Sequence, residues 1–549
     1  MHSGMRKTLS LVALVSGVGL LAASALGSVS QAPPPGTFRL GLAVDIDYVD
    51  PSLAYYAPTW ALMYATGAQL YGYPDAPAPR GSRLLPEVAA GYPRVSRDGR
   101  VYTIRLKRTY WFSNGIRVTA ANFAWAINRA LQRRMTSPAQ PFIEAIVGAK
   151  DVIQGRARLA RGVRTPDPYT LQLRLERRTP DILARLAMPF FQAIPRNLPI
   201  NLEGLSAPVA SAGPYFIKEW TRNRRIVLER NRFYRGPRPR RVRRIQVDIG
   251  LPLEAIKRNI DRGIYDAGDV PLAAHAELGR RYGVRHRSPG RYFANPMPSL
   301  VYLAFNHDRP LFGGHGSEGN VRLKQAVNYA IDRTRIVRTF GAYGAVANDQ
   351  LLPPTLRGFR NAAIYPSHPD LTRARARANG HTRSGTGELW CSFRSPWPQI
   401  CQIVQANLRE IGLSMNISLE PRVCGVFCFN PRRRGEQFDI FLTDWRSDFH
   451  DPGEFVQLVD GKAIGPFNSP NASYFDDPGW NRRIARANAL SGVERYRAFG
   501  RLDREIMRAA APVAPIATRT ARVYVASRVG CYHHHPVYGW DYPAVCLRR

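Results

Sequence analysis

Between Pro398 and Leu419 the spacing of apolar residues changes abruptly at one glycine. Ile400, Val404, Leu408 and Ile411 recur at intervals of three and four, which puts them on one face of a helix. Pro398 suits the opening of that helix, where a proline sacrifices no hydrogen bond. Gly412 supplies the left-handed backbone that closes it. Leu413, Met415, Ile417 and Leu419 then alternate as a strand does. A strand that follows directly from a helix end belongs to an α/β lobe with a partly parallel sheet.

The rest of the chain alternates strands and helices without a repeating unit. Phe38 to Leu42 reads as a first strand, and Asp50-Pro51 as a turn. Ser96-Arg97-Asp98-Gly99 is a hairpin-type turn leading into a strand from Val101 to Lys107. Thr119 caps a helix whose inner face is Phe123, Ile127 and Leu131. Pro166-Asp167-Pro168 turns the chain into a strand, Thr170 to Glu176, carrying Leu171, Leu173 and Leu175. Asn320 caps a further helix with Leu323, Val327, Ala330 and Ile331 inward. A chain of 549 residues is too long for one core and implies two or three lobes.

Lys and Arg number 78 against 41 Asp and Glu, a net charge of +37. Such a balance raises the question of an anionic partner. Yet the arginines are spread along the chain, and no nucleic-acid motif accompanies them. The densest run, Arg222 to Arg244, is broken by strand-like Ile226-Val227-Leu228 and Ile245-Gln246-Val247. It reads as a solvated face first and an anionic-surface contact second.

The first residues have the pattern of an export signal. Arg6-Lys7 precede an apolar stretch from Leu9 to Ala23, and Ala23-Ser24-Ala25 offers a small-residue cleavage site. The stretch is short for a membrane span and contains Gly17 and Gly19. With no Cys near the cleavage region, the mature protein is expected to be exported, soluble and free of a lipid anchor, in a periplasmic or extracellular space.

Export makes the six cysteines, Cys391, Cys401, Cys424, Cys428, Cys531 and Cys546, potential disulfide formers. Six allow 15 pairings. Proximity suggests Cys531 with Cys546 and leaves the other four open. The competing metal reading gathers Cys424, Cys428, His533, His534 and His535 around zinc or nickel. Zinc sites prefer tighter Cys-x2-Cys pairs, and an oxidising compartment removes the thiolates they need.

Seven segments, in order, carry a resemblance to a known family. They are Leu84-Leu85-Pro86-Glu87-Val88-Ala89; Val95 to Leu106; Phe112-Ser113-Asn114-Gly115 with Val118-Thr119-Ala120; Gly213-Pro214-Tyr215 with Leu228-Glu229-Arg230-Asn231 and Tyr234; Tyr302 to Asn306; Val321 to Arg333; and Phe438-Asp439-Ile440 with Trp445 to Pro452. The chain resembles family 5 of the bacterial extracellular solute-binding proteins, the peptide, dipeptide and nickel binders, from about residue 38 to the C-terminus. Asn122 departs from the family, which often has Asp there, and insertions around Gly313 to Gly319 and Thr382 to Gly387 blur the match.

The resemblance implies an α/β, two-lobed periplasmic-binding-protein-like fold with an extra subdomain and a hinge. Residues 1–32 would be the signal peptide. The first lobe would take 33–80, 203–293 and 515–549, the family-specific subdomain 81–202, and the second lobe 294–514. The hinge crossings are expected near Ser288-Pro289-Gly290 and Ala511-Pro512. Asp448 matches the position at which peptide-binding members place a carboxylate against the ligand's α-ammonium. The alternative is that it only caps a local turn, as Asp451-Pro452 does. Trp445 and Phe449 either wall the ligand or pack in a core. The same choice holds for Tyr55, Tyr56 and Trp60, the last two being spaced for contact on one helix face.

No Gly-x-Ser-x-Gly elbow, His-Glu-x-x-His helix or phosphate loop occurs, so the chain reads as a binder and not an enzyme, with no cofactor. Gly313-Gly314-His315-Gly316 lacks the flanking strand and helix of a phosphate cradle and reads as a loop. The primary reading is the binding component of an ABC importer, a monomer that captures a small peptide-like solute and delivers it to membrane permease subunits. A chelated nickel ion or other small solute on the same scaffold is the alternative. An anionic-surface or polymer binder is the alternative from another class; nucleic acid is not expected.

Overall fold

The computed structural model describes residues 35–313, 320–382, 386–420, 434–465 and 469–548. The segment read as a signal, together with Gly314-His315-Gly316, Cys424 and Cys428, lies outside them. Among the described residues no helix is long and apolar enough to cross a membrane.

One large mixed sheet runs through both lobes. From one edge its strands are Tyr215–Thr221, Arg225–Arg230, Arg244–Ile249, Thr37–Leu42, Ala267–Gly268, Val513–Val525, Ser299–Phe305, Ile440–Arg446, Thr386–Ser392 and Ser414–Glu420. Thr37–Leu42 pairs in parallel with Arg244–Ile249. In the other half Thr386–Ser392 pairs in parallel with Ser414–Glu420. The helix Trp397–Arg409 connects these last two, and Gly412 has φ +78°, so the unit read from Pro398 to Leu419 is a parallel crossover. Its last strand is the sheet edge, which explains one departure from the alternation. Met415 is buried, whereas Leu419 is 48% exposed.

Val513–Val525 joins the halves. Val513, Ala514, Pro515 and Ala517 pair with Ser299–Phe305, whereas Thr520 to Tyr524 pair with Tyr292–Pro296. The first of these ladders breaks register at Val301/Tyr302, opposite Pro515, where a proline without an N–H is tolerated. The strand is buried at both ends, and its least covered stretch, Arg519 to Arg522, lies where the partner changes. The second crossing is the short link from Pro296 to Ser299. The first crossing lies inside a continuous strand and the second at the break between two strands, both a short way along the chain from Ser288–Gly290 and Ala511–Pro512.

Ser299–Phe305 is buried along its whole length. Val301, Leu303 and Phe305 enter one apolar layer, and Leu300, Tyr302 and Ala304 enter the layer on the opposite face. Burial on both faces accounts for the unbroken apolar run Leu300 to Phe305. A separate four-stranded sheet, Arg94–Val95, Val101–Arg105, Thr170–Arg174 and Val163–Asp167, packs against the helix Ala120–Leu131. Phe123, Ile127, Leu131, Leu171, Leu173 and Leu175 fill the space between. Asn122 Oδ1 accepts the Thr119 N–H at 2.8 Å, closing a capping box with an amide in place of the usual Glu or Gln. Asn320 differs from expectation. It precedes the helix Val321–Ala330, but its side chain turns away to donate to Leu311 O and His381 O and caps nothing.

Two buried ion pairs tie distant segments together. Arg129 forks onto Asp50, both bonds 2.6 Å and both side chains fully buried, so the Asp50-Pro51 turn is fastened to the Ala120–Leu131 helix. Arg238 pairs with Glu87 at 3.0 Å and donates to Tyr64 O and Gly67 O. Arg238 therefore corrects the reading of the Arg222 to Arg244 run as a solvated face, since this member belongs to the core. Disulfides join Cys391 to Cys401 and Cys531 to Cys546. His533 pairs with Asp541 at 2.8 Å, and His535 Nδ1 accepts the N–H groups of Val537 and Tyr538.

Replacing Arg129 with Met should leave Asp50 charged and unpaired in the core. The expected loss is about 3–5 kcal/mol, read from urea unfolding. A loss below about 0.5 kcal/mol would show that the pair does not stabilise the junction.

Candidate functional site

The strand Ile440–Arg446 delivers its last residues to the meeting of the lobes, and the segment after it is held at both ends. Ser447 N–H donates to Pro298 O at 3.1 Å, beside one interlobe crossing. Further on, Asp451 accepts the Gly453 N–H at 2.8 Å and pairs with buried Arg495 at 2.8 Å. Asp451-Pro452 is therefore a turn cap, as read from the sequence. Asp448 lies between these anchors.

Asp47 shapes the opposite wall. Its carboxylate accepts the backbone N–H groups of Tyr55 (2.6 Å) and Tyr56 (2.9 Å) and the Thr59 hydroxyl. This fixes the turn that enters the helix Ala57–Thr66. The Tyr55 ring stacks on Phe190 and meets Trp60 edge-on, each at 5.9 Å. So braced, the Tyr55 hydroxyl donates to Asp448 Oδ1 at 2.6 Å, from one lobe to the other.

The electrostatics are those of a half-desolvated acid. Burial pushes the Asp448 carboxyl up to about 6, against the opposing pull of the Tyr55 hydroxyl and of Arg446. The Asp448 N–H donates to Glu454 Oε2 at 3.1 Å. Burial, with Asp448's charge adding to it, drives Glu454 well above the ordinary carboxylate range. Nearby, Arg185 pairs with Asp181 at 2.8 Å and lies 5.1 Å over the Phe449 ring. His450 is buried edge-on to Tyr73, and burial pushes it down to about 4. Asp448 is thus the group here that can carry negative charge near neutral pH, with the Glu454 carboxyl beside it favouring its protonated form.

The residues singled out in the sequence converge here in different roles. Asp448 and Tyr55 touch. Tyr56 is half-buried, and burial with the nearby Asp47 carboxylate raises its phenol. Trp445 is half-buried and packs partly against the second-lobe core. Trp60 and Phe449 are packing residues of the subdomain core: Trp60 Nε1 donates to Ala54 O, and Phe449 meets Phe142 edge-on. Both rings are buried, with Phe190 edge-on to Trp60 and the Arg185 guanidinium over Phe449. Glu454, Asp47, Phe190 and Arg185 were missed. Glu454 could have been suspected from its place six residues after Asp448, and Arg185 from its i, i+4 spacing to Asp181. Among the described residues no group of three or more His, Cys, Asp or Glu is arranged to hold a metal ion.

Residues 83–466 match the family described as bacterial extracellular solute-binding proteins, family 5 Middle. The periplasmic murein peptide-binding protein MppA of Escherichia coli K12 is 23% identical over 448 residues, covering 79% of each chain. The periplasmic oligopeptide-binding protein OppA of the same strain is 21% identical over 407 residues, covering 71% of each. Among solved structures, a clavulanic acid biosynthesis oligopeptide binding protein 2 superposes with a TM-score of 0.81 at 23% identity, covering 93% of this chain and 95% of the other. HbpA2 from Haemophilus parasuis does so with a TM-score of 0.77 at 18% identity, covering 93% and 100%. With the shared-strand, two-lobed architecture and a match across most of the chain, the protein belongs to family 5 of the bacterial extracellular solute-binding proteins.

Proposed function

We propose that the protein captures a peptide-like solute between its lobes and delivers it to the permease of an ABC importer, as a binder and not an enzyme. The observation that carries this reading is the Tyr55–Asp448 hydrogen bond across the interlobe boundary. A ligand ammonium would replace the phenol and gain a charged partner. Trp445 and Tyr56 would flank the ligand, with Phe449 and Trp60 stiffening the walls from behind. The relatives whose names describe murein peptide and oligopeptide binding support the class of ligand. Ligand contact with both lobes would favour the closed form, since only a difference in affinity between states can shift their populations.

Within the same proposal, 33–80, 203–293 and 515–549 form the first lobe, 81–202 its subdomain and 294–514 the second lobe. Residues 1–32 direct export to a periplasmic or extracellular space, where the mature chain acts as a monomer.

Mass spectrometry of solute co-purified with the native protein would identify the ligand class. Asp448→Ala should weaken peptides with a free amine on the order of tenfold or more, while N-acetylated peptides lose little; equal losses would remove Asp448 from the role. The pH dependence has a definite sign. Asp448 must be ionised to pair with an ammonium, and its value of about 6 in the free protein should fall in the complex. Affinity measured by calorimetry should therefore be highest near pH 7, fall below pH 6 by on the order of tenfold per unit, and fall again above about pH 8 as the ligand's α-ammonium loses its proton. Tyr55→Phe removes the donor that holds the carboxyl down, so the midpoint of that curve should move upward. An unmoved midpoint would show that the phenol does not tune the carboxylate.

A further inference from the structure

The helix Gly492–Ala509 presents Arg497, Arg501 and Arg504 at spacings of four and three. The loop through Arg357, Gly358, Phe359 and Arg360 lies directly on this helix. The approach is backbone against backbone. A Cβ at Gly358 would meet Tyr496 O at 2.3 Å, and one at Gly500 would meet Gly358 O at 2.1 Å. Gly358 also has φ +99°, which a side chain rarely adopts. The two glycines thus allow the loop to set Arg357 and Arg360 beside the helix arginines, with Arg357 lying 4.6 Å over the Tyr496 ring.

The result is a cavity of about 390 Å³ walled by five arginines, with Tyr496, Phe359 and Val493 completing it and no carboxylate in the lining. Arg497 has an exposed partner, Glu494, at 2.9 Å. Among the described residues no carboxylate ion-pairs Arg357, Arg360, Arg501 or Arg504. Guanidinium groups cannot relieve mutual repulsion by losing protons; solvent screens these exposed or half-buried ones in part, and an anion bound among them would relieve the rest. Their planar forks match the tetrahedral oxygens of phosphate. Each would gain more from a multiply charged ligand than from a halide.

We propose that this cavity binds a multiply charged oxyanion of the phosphate type, separately from the cation-favouring site at Asp448. The same chemistry is offered by a soluble phosphate compound and by an anionic phospholipid headgroup.

The test uses the whole mature protein and inorganic pyrophosphate, with calorimetry at fixed ionic strength. Saturable binding should weaken on the order of tenfold or more in Arg501→Gln/Arg504→Gln. It should persist in Arg164→Gln/Arg280→Gln, which removes equal charge elsewhere, and in Asp448→Ala. All four substituted arginines lie at or near the surface, and circular dichroism checks the fold. Co-sedimentation with phosphatidylglycerol vesicles, against phosphatidylcholine vesicles, separates the sources. Vesicle binding lost only in the Arg501/Arg504 variant supports the headgroup, and pyrophosphate binding without vesicle binding supports a soluble anion. Absence of both, or equal weakening in the two arginine pairs, would attribute any attraction to net charge and overturn the site. Loss in Asp448→Ala would overturn its independence.

Discussion

Backbone pairing along Val513–Val525 is the constraint from which the rest of the molecule is arranged. One half of this strand is hydrogen-bonded into the second lobe and the other half into the first. The lobes are therefore regions of one sheet, divided where the central strand is least covered. The position of Asp448 follows from the same arrangement. Ile440–Arg446 pairs with Ser299–Phe305, which pairs with the shared strand, and Ser447 is bonded back to Pro298 at the crossing. A rotation about the crossings would carry Asp448 relative to Tyr55 while leaving each half-sheet intact.

The large positive charge is distributed with a clear division of labour. Carboxylates are scarce, and several are committed to buried arginines: Asp50 to Arg129, Glu87 to Arg238, Asp451 to Arg495. These pairs specify which segments meet, and losing either partner leaves an uncompensated charge in the core. Asp448 and Glu454 stand apart because neither forms such a fork. Their elevated proton affinity comes mainly from burial, and it is larger for Glu454 than for Asp448. Arg333 is buried on the backbone carbonyl groups of Asn328, Pro366 and Pro515, whereas five other arginines converge around one cavity.

Much of the fold was legible because its signals are local. Gly412 between two periodicities, Leu171, Leu173 and Leu175 in alternation, and Thr119 ahead of Phe123 each report on a few neighbouring residues. Tyr55 and Asp448 were both picked out, but only from ordered motifs shared with a family; their hydrogen bond joins residues 393 positions apart, and no periodicity encodes it. Arg238 was misread for the same reason. In a run of exposed arginines, nothing nearby distinguishes the one that reaches Glu87. Trp60 and Phe449 show a further limit, since an aromatic beside a binding carboxylate reads alike whether it faces the ligand or braces the residue that does. The crossings were displaced because the proline and glycine of a turn are conspicuous, whereas a change of partner within a continuous strand leaves no compositional trace.

If Asp448 takes the ligand's ammonium as proposed, the Tyr55–Asp448 hydrogen bond is an internal understudy for that guest. With the phenol in place, the acid has a donor even when no solute is present, so the lobes can meet without stranding a carboxylate. A solute must then win an exchange against a neutral hydroxyl already held at short range. A cationic amine can win it, whereas a neutral amide or alcohol trades one ordinary hydrogen bond for another. On the proposed reading the threshold for entry would be set by a residue of the protein itself, and the strength of that internal competitor would tune which solutes are worth closing upon.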